Sequence, residues 1–144
     1  MNKKFLIIGK GEIDCTDLVC VLIDNKFVTD RQEQVLWVTM MDFYLHFDKK
    51  IKKIVEWLPD VILYTSQLTS DKVFKINDEI MRHEPITEKK VVKAVAVGVY
   101  ANGLDGSDAL AMFLKAGIDY IQCYTKKQEQ LLFYLKESRE IIYC

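Results

Sequence analysis

Short apolar runs alternate with amphipathic stretches along this chain. The first run, Phe5-Leu6-Ile7-Ile8, stops at Gly9-Lys10-Gly11 and predicts a strand closed by a tight turn. Leu18, Val19, Leu22 and Ile23 recur at spacings of three and four, the period of a helix with one apolar face, and Asp14 or Thr16 is its expected cap. Val35-Leu36-Trp37-Val38 reads as the second strand. Phe43, Phe47, Ile51, Ile54, Val55 and Leu58 mark the inner face of a second helix, with Lys49, Lys50, Lys52 and Lys53 on its solvated side. Pro59 ends it, since proline biases the preceding residue toward extended backbone. Val61-Ile62-Leu63-Tyr64 is apolar on both faces, as a central parallel strand should be. Val73, Ile76 and Ile80 place a third helix between a cap at Ser70 or Asp71 and Pro85, and residues 84–90, rich in charge, read as a loop. Val91 to Tyr100 forms a fourth strand, followed by turn residues at Asn102-Gly103 and Asp105-Gly106. Ser107 or Asp108 opens a helix carrying Leu110, Phe113 and Leu114, which Gly117 ends in a left-handed conformation. Tyr120-Ile121-Gln122-Cys123 is the fifth strand, and Thr125 caps a last helix with Leu131, Leu132, Leu135 and Ile142.

Five strands alternating with five helices, with no linker rich in Gly, Pro or Ser, predict one three-layer (βα)5 domain over residues 1–144. This is a flavodoxin-like α/β architecture, a five-stranded parallel sheet with helices on both faces. The size agrees: a chain of 144 residues, half of them hydrophobic, can bury about two-thirds of its unfolded surface. Twenty Lys and Arg against 21 Asp and Glu leave a formal charge of −1, without the basic excess of a nucleic-acid binder. No apolar run approaches the roughly 20 residues that span a bilayer, and the amino-terminal residues lack the pattern of an export signal. Neither nucleic acid nor membrane is therefore an expected direct partner, and the cytoplasm is the expected compartment. Cys15, Cys20, Cys123 and Cys144 form no C-x-x-C pair, and His46 and His83 are far apart in sequence. No metal site, cofactor or triad is expected from them, and the thiols read as reduced core residues.

Fold class alone does not give function. Pro59-Asp60-Val61-Ile62-Leu63-Tyr64, after an amphipathic helix, resembles the third-strand entry of bacterial response-regulator receiver domains. Ala109-Leu110 to Lys115-Ala116-Gly117-Ile118-Asp119-Tyr120-Ile121 resembles their fourth helix and fifth strand, and Gln128-Glu129-Gln130-Leu131-Leu132 looks like the start of their last helix. The resemblance implies a phosphoryl-transfer site, in which clustered carboxylates hold Mg²⁺ through oxygen ligands and an aspartate accepts the phosphoryl group. This sequence departs from that set throughout. The acidic pair falls on Gly9 and Lys10, and the acceptor aspartate on Thr65. The hydroxyl residue of the fourth strand falls near Gly98 or Val99, the lysine of the fifth on Cys123, and the proline after it on Tyr124. Tyr120 alone keeps the family's residue type. What the resemblance implies is thus a pseudo-receiver: a signalling scaffold without aspartyl phosphorylation, not an enzyme, acting through contacts with a regulator or output protein and able to pair as a homodimer.

Several residues carry a sharper reading beside a plain one. Gly9-Lys10-Gly11 lacks the third glycine of a dinucleotide fingerprint, which falls on Asp14, and reads as a plain turn; alternatively the Lys10 ammonium stands in for the missing cation. Thr65 and Ser66 lie at the carboxyl end of a central strand, where open α/β sheets place ligands, and read as solvated hydroxyls or as acceptors for a separate kinase. Cys123 reads as a half-buried small residue or, with a lowered pKa beside Lys10, as a redox-sensing thiol. Tyr120, Tyr124, Phe133 and Tyr134 give the side of the last two helices an aromatic character and mark the expected partner surface. The rival reading is a domain that binds a small molecule or nucleotide, or an enzyme, using the rim around Lys10, Thr65 and Asn102.

Overall fold

A computed structural model of the chain describes residues 3–65, 68–89, 92–99, 111, 113–123 and 127–143. The strands β1 (Phe5–Gly9), β2 (Val35–Thr39), β3 (Val61–Tyr64), β4 (Lys93–Val99) and β5 (Ile118–Cys123) form one sheet, all parallel, in the order β2-β1-β3-β4-β5. The labelled helices are α1 (Glu12–Asp24), α2 (Arg31–Gln34), α3 (Met40–Trp57), α4 (Ser70–Met81), α5 (Glu84–Lys89) and α6 (Glu129–Tyr143), with residues 113–115 also helical. Successive strand side chains point to opposite faces. Leu6 and Ile8 of β1 and Ile62 and Tyr64 of β3 therefore join one core cluster, with Phe43 and Ile54 of α3, Ile76 and Ile80 of α4, and Phe113. Phe5, Ile7, Val61 and Leu63 join the other, with Leu18 and Leu22 of α1 and Leu131 and Leu135 of α6. Both faces of the central strands are buried, which is why β1 and β3 read in the sequence as continuous apolar runs. The result is the expected three-layer, flavodoxin-like α/β fold. No helix among the described residues is long and apolar enough to cross a membrane.

Where local structure departs from the sequence pattern, the cause is visible. Residues 84–89 are not a loop but the short helix α5. Pro85 stands in its first turn, where a missing N–H costs nothing, and buried Ile86 pins the turn to the core. The Lys89 ammonium then bonds the Leu58 and Pro59 carbonyls and pairs with the Asp60 carboxylate at 2.7 Å. Asp14 and Thr16 do not cap α1; the cap position is Gly11, with extended backbone and no side-chain bond, and both residues lie inside the helix. Ser70 and Asp71 likewise fall within α4, whose cap residue is Thr69. The second strand runs one residue further than its apolar run, because Thr39 both ends β2 and caps α3 in a reciprocal box with Asp42. Those bonds from the Thr39 backbone hold the Asp42 carboxyl below its usual pKa. The fifth strand starts at Ile118, directly after Gly117, whose φ of +76° matches the left-handed stop read from the sequence. The expectations at Ser107, Asp108, Leu110 and Thr125 lie outside the described residues.

Candidate functional site

In the order β2-β1-β3-β4-β5 the chain reverses direction of winding between β1 and β3, and open α/β sheets place ligands beside such a point, at the carboxyl ends of the strands. That end is built by Gly9 and by Thr65, whose N–H donates to the Ile8 carbonyl at 2.9 Å. A Cβ on Gly9 would lie 2.8 Å from Cys15 Sγ and 2.9 Å from Thr65 Oγ1, so the glycine is required by packing and not by a turn. The structure thus brings Gly9, Thr65 and Cys15 together, and Cys15 is a member of this group that sequence reasoning passed over. Gly98 and Val99 stand further along, paired with Gln122 and Cys123 beyond the last β3–β4 pair, Tyr64 with Ala96.

Thr65 corrects one expectation. Its hydroxyl is not solvated: the residue is 6% exposed and Oγ1 has no hydrogen-bond partner among the described residues. The same burial keeps it from a separate kinase. A buried hydroxyl left unpaired costs about 1–3 kcal/mol. Thr65→Val, which keeps the shape and removes the orphan, should therefore stabilise the fold by about 1 kcal/mol in urea unfolding. A loss of comparable size would show that the hydroxyl is bonded.

The thiols correct another. Cys123 is fully buried, and burial raises its pKa, against a weaker opposite pull from the Leu131 and Gln130 backbone N–H groups at the start of α6. It is buried rather than half-buried, and its surroundings disfavour the thiolate. Cys15 is also fully buried, and burial together with the Asp14 charge pushes its pKa to about 12. Cys20 is exposed on the opposite side of α1. With iodoacetamide at neutral pH, Cys20 should be alkylated while Cys15 and Cys123 stay unmodified until the fold is denatured, as read by peptide mass spectrometry. Early alkylation of Cys123 would restore the redox reading. Lys10 is exposed and makes no ion pair among the described residues, so nothing places its ammonium in a cation site.

The carboxylates of Asp14, Asp42 and Glu12 lie near enough to this rim to act on Cys15, but the three positions expected to carry the phosphoryl-transfer oxygens do not suit Mg²⁺. That ion needs several oxygens in octahedral array. Gly9 has no side chain, Lys10 is itself cationic, and the Thr65 oxygen is sealed from solvent. Among the described residues no three His, Cys, Asp or Glu side chains gather to hold a metal.

The described members of the aromatic set do not share one face of the sheet. Tyr120 packs with the α3–α4 cluster and stacks on Phe113 at 5.8 Å, whereas Tyr134 packs on the other face of the sheet, with α1 and α6, and donates its hydroxyl to Asp119. Phe133 is 64% exposed and lines a groove of about 470 Å³ with Phe27, Asn25 and Leu132. Tyr124, Ser66 and Asn102 lie outside the described residues. The larger concentration of exposed apolar side chains is elsewhere, at the start of α3: Met41, Tyr44 and Leu45, with Tyr44 at 85%. These residues precede His46, whose backbone breaks the helical conformation and divides α3 in two. Tyr44 also forms a wall of a second groove, of about 190 Å³, between α3 and α4, with Met40, Phe43, Phe47 and Ile76 as its apolar lining and Lys72 and Lys75 at its edge. The sequence carried a signal for this patch: residues 40–47 are apolar nearly all round the helix, more than one buried face can use. Neither a family model, nor a curated protein, nor a solved structure matches this chain.

Proposed function

We propose that this domain is a non-catalytic, phosphorylation-independent regulatory module that works through protein–protein contacts, a receiver-like scaffold without the receiver's chemistry. The observation that carries this reading is the makeup of the strand-end rim, where Gly9, Lys10 and a buried, unpaired Thr65 stand at the positions a phosphoryl-transfer site would give to carboxylates. A docking role is further supported by Met41, Tyr44 and Leu45, large apolar side chains left exposed beside one another on α3. Such patches on a small protein commonly mark interaction surfaces. Signalling is the class of function we assign to it, since exposed apolar side chains set beside one another offer a place to hold another protein.

The test is incubation of the full chain with acetyl phosphate and Mg²⁺, followed by intact mass. An unchanged mass is expected. Gain of one phosphoryl group, labile to hydroxylamine as an aspartyl phosphate is, would overturn the reading.

A further inference from the structure

The groove between α3 and α4 is apolar along its floor, and the charged residues on its lining are both lysines. Lys72 and Lys75 are three apart on α4 and so share a face, with the Lys75 ammonium 5.7 Å from the centre of the Phe47 ring. At about 190 Å³ the groove has room for one branched or aromatic side chain; an apolar cavity of about 150 Å³ accepts benzene. Its occupant should therefore present an exposed apolar anchor with carboxylates beside it.

This chain carries such an element. Helix α1 contains Glu12, Asp14, Asp17 and Asp24 and no Lys or Arg. Ile13, in its first turn, is 75% exposed, an unusual position for isoleucine. Glu12 is next to it, and Asp17 is four residues on, hence on the same face; both are exposed. The two surfaces cannot meet within one molecule, because α1 covers one face of the sheet and α3 and α4 the other.

We infer that α1 of one copy docks into the α3–α4 groove of a second, with Ile13 as the anchor and Glu12 and Asp17 facing Lys72 and Lys75. The inference rests on the docking reading above and names a second copy of the chain as a partner. Because the contacting surfaces are different and lie on opposite layers, the contact is head-to-tail, and such contacts continue beyond a dimer unless they close into a ring. Charge pairs at the rim of the contact make it weaken with salt.

Sedimentation of the full chain over a range of concentrations tests it. Expected is an average mass that rises past that of a dimer and falls back on adding salt. Ile13→Lys, which removes the anchor and adds a like charge, and the double change Lys72→Glu with Lys75→Glu should each weaken association about tenfold or more. Mixed together, these two variants should form a one-to-one complex that grows no further, since only one intact α1 and one intact groove remain. All three positions are exposed, and unchanged circular dichroism will show that each variant folds. A wild-type chain that stays monomeric, a symmetric dimer that stops there, association that survives both changes, or variants that fail to complement would each overturn the inference. A phosphoryl adduct in the earlier experiment would sink the functional reading without touching this contact, and a monomeric chain would remove this contact without restoring catalysis.

Discussion

Phe113→Ala should lower the unfolding free energy by about 3–5 kcal/mol, the range for removing a large aromatic from a packed core. Phe113 is fully buried and lies 4.9 Å from the Phe74 ring and 5.8 Å from that of Tyr120. It lies between β4 and β5 in sequence and belongs to the α3–α4 cluster. Truncation leaves a ring-sized hole between two other rings, and neither can close it without leaving its own packing. Urea denaturation gives the result directly, as a lower midpoint at unchanged slope. Phe133→Ala, at an exposed site, is the control and should change stability by less than about 0.5 kcal/mol. A loss below about 1 kcal/mol would mean that the Phe113 ring does not pack as described.

Gln34→Leu should cost about 3 kcal/mol, although it exchanges one side chain for another of similar size. Gln34 is 2% exposed at the end of α2. Its Oε1 accepts from the backbone N–H groups of Thr29 and Asp30, at 2.8 and 2.9 Å, and from the Thr29 hydroxyl. Its Nε2 donates to the carbonyls of Lys3 and Phe27. One amide thus satisfies the turn between α1 and β2 and ties it to the segment entering β1. Leucine fills the space and strips every partner, and each stranded backbone group costs about 1 kcal/mol, less where water can reach it. Gln34→Glu should do no better, since a carboxylate oxygen would replace the donor and face two carbonyls. If Gln34→Leu were neutral, water would be replacing the amide and the turn would be held by its neighbours alone.

The sheet was legible because burial on both faces leaves an unmistakable trace, runs such as Phe5–Ile8 and Val61–Tyr64, and because Gly117 has few alternatives to a left-handed stop. Helix α5 was hidden by Pro85, which reads as a breaker in a sequence but is tolerated in a first turn. The α1 cap was missed because Gly11 offers no side chain to recognise. Gln34 gives no signal at all: within Arg31-Gln32-Glu33-Gln34 it looks like any solvated polar residue, and only the fold turns it inward. At the rim, residue types could be read and environments could not. Thr65 and Cys123 were placed at strand ends correctly, yet whether such an end is wet or sealed depends on the approach of α1 and α6. The described aromatics divide for a related reason. Tyr120 and Tyr134 are close in sequence but lie on opposite sides of the sheet, so adjacency along the chain gave no shared surface. The patch at Met41, Tyr44 and Leu45 was legible as an excess of apolar residues on α3 and was passed over for the more regular stripe through Phe43 and Ile54.

Amide NMR of the full chain during addition of Mg²⁺ and beryllofluoride, a phosphoryl analogue, asks most directly whether the rim has lost its chemistry. The amides of Gly9, Lys10, Thr65, Gly98 and Cys123 should hold their positions throughout. Saturable shifts converging on those residues would show a working divalent-ion and phosphoryl site, and the reading of this domain as a non-catalytic docking module would be wrong.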